Sequence, residues 1–308
     1  QPVVDCAEAG GDSSLDNQSS TPCNASSWCG LQSLPPPLAC GVLWYLHIPK
    51  AGGGSVYAHL EKNQKLGNRS QPWSFVSIYP SFDIARTALP NGTSPTASRQ
   101  WNEIRAHLRR PRPLLIVHQH HGSPGMASAD VEAELATIQR SLSSRGCRLV
   151  RATMLREPVS RSISEIMFHH EKKPSLKVKE GFCAAAVDNG NNQTSYVTCG
   201  SPEPRDLVCA YKKNTRMLHA AIRVLADFDV VGQQEDHDGF VHAINHILGW
   251  PANSGISLRN HQTGTSEDPW PYVPSPATRS WMGWHNQLDT RLYSHFCQCG
   301  ETSPTRRH

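Results

Sequence analysis

The stretch that most constrains this chain is residues 41–62, GVLWYLHIPKAGGGSVYAHLEK. Its opening apolar run predicts a strand over about 42–48, buried by helices on its faces. Three glycines follow, and Val56, Tyr57 and Leu60 then resume at helical spacing, which predicts a helix over about 55–63. A turn of Gly52, Gly53 and Gly54 has no Cβ to forbid positive φ, so its backbone N–H groups can approach a ligand closely. The helix start adds its own unpaired donors, and Lys50 adds a mobile positive charge beside them. Strand, loop and helix together suit phosphate. The nucleotide loop G-x-x-x-x-G-K-[ST] is not matched, because the lysine precedes the glycines, which argues against an ATP or GTP loop of that type. A glycine-rich turn with no ligand stays open as the alternative.

Beyond this unit the same alternation continues. Helices are expected over about 98–109, 128–144, 158–170, 206–226 and 236–248, with strands over about 114–119, 148–155 and 228–232. Strands alternating with helices predict an α/β domain, P-loop-like, with a mostly parallel central sheet flanked by helices. Its ligand site is expected beyond the C-terminal ends of the strands. Trp281, Trp284, Leu288, Leu292 and Phe296 recur at helical steps and predict one closing helix packed on the core.

Two further segments carry chemistry. In TMLREPVSRSISEIMF, residues 153–168, a strand runs into a helix that opens on Pro158, with Arg156 at the strand end and Ser160 and Ser164 on one helix face. An arginine fork beside helix-borne hydroxyls can hold a second phosphate. A structural pairing of Arg156 with Glu157 or Glu165 is the alternative. In LLIVHQHHG, residues 114–122, an apolar strand ends in three histidines. Extended geometry puts His118 and His120 on one face and His121 on the other. Histidine titrates near neutrality and suits a general base; a structural role, or metal chelation by alternating imidazoles, stays open.

Composition narrows the setting. A formal charge of +4 with scattered basic residues does not indicate nucleic-acid binding. Arg105, Arg109, Arg110 and Arg112 on one side and Lys172, Lys173, Lys177 and Lys179 on the other would favour an acidic acceptor if they flank a cleft. Ten cysteines, with Asn-X-Ser/Thr sequons at Asn17, Asn24, Asn68, Asn91 and Asn192, point to the secretory pathway. Residues 1–40 read as an irregular disulfide-stapled segment, 41–300 as the functional domain and 301–308 as a polar tail. No apolar run reaches the roughly 20 residues of a membrane span, so a soluble chain is expected, with any membrane attachment through an anchor outside it.

LHIPKAGGGS and LREPVSRSISE together resemble the two nucleotide-binding segments of Golgi sulfotransferases that use PAPS (3′-phosphoadenosine 5′-phosphosulfate) and release PAP (3′,5′-adenosine bisphosphate). The likeness is to heparan sulfate 6-O- and 2-O-sulfotransferases, and NTRMLHA, FDVVGQQEDHDGF and WHNQLDTRLYSHF extend it in the same order to residue 296. The resemblance implies that Lys50, Ala51, Gly52, Gly53, Gly54 and Ser55 hold the 5′-phosphosulfate and that Arg156 and Ser164 hold the 3′-phosphate. It also implies His120 as base with His118 assisting, contacts from Arg259 and Thr263 to the nucleotide, and no metal. Relatives read P-K-T-G-G-T-S, so Ala51 and Gly54 stand where two threonines are usual, and an altered cofactor grip is expected. The implied acceptor is a glycan hydroxyl. An acidic tyrosine-containing protein is the second candidate, and a non-catalytic glycan-binding protein that keeps the fold is the third.

Overall fold

A computed structural model describes residues 3–4, 34–66, 73–78, 95–120, 129–172, 190–199, 215–251 and 273–297. Its centre is a five-stranded sheet of β2 (Gly41–Leu46), β3 (Ser74–Ile78), β4 (Leu114–Gln119), β5 (Arg148–Leu155) and β6 (Val230–Gln233), in the order β3-β4-β2-β5-β6. Every neighbouring pair in it is parallel. A separate parallel pair joins β1 (Val3–Val4) to β7 (Val273–Pro274).

Because β2 lies at the centre, all six of its residues are buried, and the period of two divides them between the sheet's faces. On one face Leu43 and Tyr45 join Ile116, Val150, Ala152, Met154 and Val230. These pack under Val56 and Leu60 of α1 (Gly53–Leu66) and Phe240, Val241, Ile244 and Ile247 of α7 (His237–Leu248). On the other face Val42, Trp44 and Leu46 meet α2 (Pro95–Leu108), α3 (Ala129–Ser143) and α6 (Thr215–Ala226) through Ile104, Leu135, Ile138, Leu142, Met217, Leu218 and Ala221. Each large apolar side chain so enclosed contributes about 1.5–3 kcal/mol. Trp44 satisfies its indole N–H within this layer by donating to Gln119 Oε1 at 2.7 Å.

The remaining helices are α4 (Pro158–Lys172), α5 (Asn192–Cys199), α8 (Pro276–His285) and α9 (Gln287–Cys297). The single closing helix expected over 281–296 is two helices broken at Asn286. Only Leu288, Leu292 and Phe296 of the expected stripe are buried; Trp284 is 42% exposed. The break has a use, since Asn286 Oδ1 accepts from Ser162 Oγ at 3.1 Å and from Asn191 N–H at 3.2 Å, tying α4 and the α5 entry to the kink.

Cys40 and Cys147 form a disulfide just ahead of β2 and β5, closing a separation of 107 residues. Constraining a loop of that size in the unfolded chain stabilises the fold by about 4–5 kcal/mol in the chain-entropy account. The bridge stands where the strands enter the sheet, which leaves their exits for chemistry.

Candidate functional site

The strand exits of β2 and β5 form the site. From β2 the chain departs towards β3 and β4, while from β5 it departs towards β6 on the opposite side, so the two adjacent strands diverge and open a crevice at their C-terminal ends. Lys50 follows one exit and Arg156 the other.

The loop between β2 and α1 is held in an unusual shape. Lys50 has φ 63° and Gly52 φ 80°, and a left-handed lysine costs roughly 1–2 kcal/mol relative to glycine. Ala51 N–H is taken by Ile48 O and Ser55 N–H by Gly52 O, while the amides of Gly53 and Gly54 are the orphan donors of a helix start. Ala51 is 1% exposed and packs in the apolar core, so neither its methyl nor its backbone is presented at the loop surface. Gly54 is exposed, and a Cβ there would meet nothing within 4 Å. Gly53 is different: a Cβ would lie 1.9 Å from His47 Cδ2 and 2.3 Å from His47 Nε2, so the imidazole ring rests directly on this glycine.

Arg156 crosses to the same loop. Its Nη1 donates to Lys50 O at 3.1 Å, and its backbone is clamped by the Gln193 side chain, which accepts from Arg156 N–H at 2.9 Å and donates to Arg156 O at 2.8 Å. Gln193 is buried and is fixed in turn by Asp289, which accepts from Gln193 N–H at 3.0 Å, Thr194 N–H at 2.8 Å and Thr194 Oγ1 at 2.7 Å. Burial raises the Asp289 pKa above the ordinary carboxylate range, against the pull of Arg161 and these donors. Arg156 Nε is buried with no hydrogen-bond partner among the described residues. Burial also works against the charge of the Arg156 guanidinium, offset by Glu235 and Glu157.

The helix that follows Arg156 differs from expectation at its start. Glu157 folds onto the N-terminus of α4 and accepts from Val159 N–H at 2.9 Å and Ser160 N–H at 2.7 Å. Those amides are occupied, so an anion here has the guanidinium and the hydroxyls of Ser160 and Ser164 to meet. The structural pairing of Arg156 with Glu165 is not what forms; Glu165 sits 3.6 Å from the buried Arg161. One turn beyond Ser164 on the same face, the Phe168 ring lies 3.5 Å under Lys50 Nζ, a cation–π contact that steers the ammonium towards α4.

Beside the loop three imidazoles gather. His118 is fully buried at the end of β4; its Nδ1 is 2.9 Å from Ser77 Oγ of β3 and its Nε2 is 3.1 Å from His47 Nδ1. Desolvation, and then the neighbouring His120, push the His118 pKa down to about 3. The His47 ring is edge-on to His120 at 4.5 Å between centroids. The parity expected for His118 and His120 holds, and their rings lie 5.9 Å apart. His47, however, was hidden in the apolar strand and belongs to the same cluster. Its signal was available in an imidazole closing a buried run directly before a glycine loop. Among the described residues, no group of three acidic, histidine or cysteine side chains is arranged to hold a metal ion.

Other expected residues fall elsewhere. His121, Arg259 and Thr263, with the lysines at 173, 177 and 179, lie outside the described residues. Arg109, Arg110 and Arg112 precede β4 and so stand at the strand-entry end, while Arg105 pairs with Glu134 at 3.5 Å. They do not flank the histidines. The charged neighbour nearer that side is Arg99, which lines a cavity of about 260 Å³ with Phe75, Val76, Ser77, Gln100 and Glu103. The sequon at Asn192 is also corrected: Asn192 is 2% exposed and Thr194 is fully buried, so the folded chain offers no acceptor amide there.

No protein-family model matches the chain. No curated protein matches it. Among solved structures, a mouse sulfotransferase, SULT7A1, complexed with PAP, is similar at 12% identity and a TM-score of 0.34 over 68% of this chain and 59% of that one. The chain thus spans less than two thirds of that enzyme's length, and so loose a superposition carries no argument about what this chain does.

Proposed function

We propose that this chain is a PAPS-dependent sulfotransferase that modifies a hydroxyl of an acidic glycan in an oxidising lumen. The observation that carries the reading is the Arg156 Nη1 to Lys50 O bond of 3.1 Å, which joins two anion-binding segments at one divergence of the sheet beside a histidine cluster. An adenosine nucleotide with phosphates at both ends fits this arrangement, because the orphaned Arg156 Nε is a buried donor awaiting an acceptor. The Gly52–Gly54 turn is the second point of fit. When bound, the phosphosulfate supplies the transferable sulfuryl group.

The residues present divide the work. Lys50 and the Gly53 and Gly54 amides stabilise negative charge growing on a departing phosphate oxygen. Arg156 and Ser164 grip the 3′-phosphate, with Gln193 holding the arginine backbone against the pull of its neighbours. Ala51 and Ser55 complete the loop, and the imidazole cluster takes the acceptor's proton. The assignments of Arg259 and Thr263 to the nucleotide rest on the family resemblance. The Cys40–Cys147 bridge supports the oxidising compartment.

The reaction is tested by supplying labelled PAPS to the purified chain with acidic glycans and, separately, acidic tyrosine-containing peptides. Transfer to a glycan alone supports the proposal. Transfer to the peptide alone replaces it with the tyrosylprotein reading, and tight PAP binding without transfer to either supports a non-catalytic binding protein.

A further inference from the structure

We propose that the cavity between β3 and α2 is a subsite for an acidic sugar residue adjoining the one that accepts sulfate, with Arg99 pairing with its carboxylate or sulfate. This rests on the sulfotransferase reading and places the acceptor, which that reading leaves unplaced. The cavity, of about 260 Å³, is lined by Phe75, Val76 and Ser77 of β3 and by Arg99, Gln100 and Glu103 of α2. One of its walls is shared with the histidine cluster. Ser77 pairs in register with His118 across the parallel β3–β4 ladder, and Ser77 Oγ lies 2.9 Å from His118 Nδ1. Neighbouring strands stand about 4.8 Å apart, so a sugar in the cavity is an immediate neighbour of one at the imidazoles.

The polar groups of the cavity stand in an order that suits an anion. Helix α2 runs antiparallel to β3: Gln100 Nε2 donates to Ser77 O at 2.8 Å, while Arg110, just beyond the helix, reaches Ser74 Oγ at 3.5 Å. Arg99 therefore stands towards the strand exits, and Glu103, four residues on, stands about 6 Å nearer the strand entries. The two do not pair, and Arg99 is exposed with no salt bridge among the described residues. An anion approaching from the exits meets the guanidinium before the carboxylate. Gln100 adds an acceptor for a hydroxyl. Because its amide must donate to the Ser77 carbonyl, its orientation is fixed and Oε1 is the atom left over. That Oε1 is buried with no hydrogen-bond partner among the described residues, and a sugar hydroxyl is the donor it lacks. Phe75 and Val76 supply the apolar wall for the C–H face of the ring.

The test measures binding of a uronate-bearing and of a sulfated oligosaccharide, each beside its neutral counterpart, to the PAP-saturated wild-type chain, Arg99→Ala and Glu103→Gln. The wild type is expected to prefer at least one charged probe over its counterpart by about three- to tenfold, the worth of a charge-assisted contact at an exposed arginine. Arg99→Ala should erase that preference while PAP affinity stays within about twofold. Glu103→Gln should widen it, because a like charge is removed from the cavity. A purely structural role for Arg99 would weaken charged and neutral probes alike. No preference in the wild type, a preference that survives Arg99→Ala, or weaker binding of the charged probe by Glu103→Gln overturns the proposal. Failure of the wild-type chain to bind PAP sinks the sulfotransferase reading instead, and the same comparisons without nucleotide then decide the subsite by themselves.

Discussion

Lys50 combines two demands in one residue. Its φ of 63° is a backbone state that glycine adopts without strain, yet its ammonium and carbonyl both face the crevice. Lys50→Gly is therefore expected to raise unfolding stability by up to about 1 kcal/mol and to abolish sulfuryl transfer. A thermal melt and a turnover assay on the same preparation check both halves. The two neighbouring glycines should respond in opposite directions to one change. Gly54→Ala meets open space at an exposed helical position and should stabilise α1 by about 0.5–1 kcal/mol. Gly53→Ala drives a methyl into the His47 ring, so it should destabilise by about 1–3 kcal/mol and lower kcat as the imidazole is displaced. Equal stabilities for the two variants, measured by denaturant titration, would contradict this packing.

At the level of elements, legibility followed the range of the forces involved. Residues 114–119 and 148–155 are strands with the expected bounds, because a central parallel strand carries a mostly apolar run that stands out in sequence. The strand over 74–78 went unseen; it is a short edge strand of mixed polarity, and its partner in β4 is about 40 residues away. Helix α5 falls between the helices expected over 158–170 and 206–226, where no element is expected. Residues 190–198 are buried on every side, so no amphipathic period betrays the helix, and the carboxylate that caps it comes from Asp289, 95 residues downstream. The site divided in the same way. Lys50, the glycines, Arg156 and the paired His118 and His120 are local patterns and could be read. His47 had only its place directly before the glycine loop to mark it, and Gln193 acquires meaning only when α5 docks against the β5 exit. The basic run 105–112 misled because sequence proximity to a histidine strand does not say which end of the strand it adjoins.

Across the whole molecule the buried histidines contribute a pH sensitivity of one sign, and Asp229 and Asp289, whose carboxyl pKa values burial raises, contribute the opposite sign at lower pH. His118, His59 and His237 are all buried, and desolvation lowers each below the ordinary histidine value of 6.5. His59 is held at the α1–α7 contact by Asn245 at 2.7 Å, with Asn63 at 3.0 Å. A lowered folded-state pKa means that the unfolded chain binds more protons below 6.5, so these groups leave stability level above that pH and reduce it as pH falls. For His118 the loss runs down to about pH 3, and amounts to about 2 kcal/mol by pH 5. Denaturant midpoints should therefore be flat from pH 8 to about 7 and fall towards pH 5; His118→Asn, if it keeps the Ser77 contact, should flatten that slope.

The account turns on whether the crevice between β2 and β5 holds both ends of one nucleotide. Calorimetric titration of PAP and of adenosine 5′-monophosphate into the wild-type chain and Arg156→Ala tests this directly. The expected result is that the wild type binds PAP tighter by about 1.5–3 kcal/mol, the worth of charge-assisted bonds to a 3′-phosphate, and that Arg156→Ala removes the difference. Equal affinities in the wild type, or a preference for PAP that survives Arg156→Ala, would contradict it.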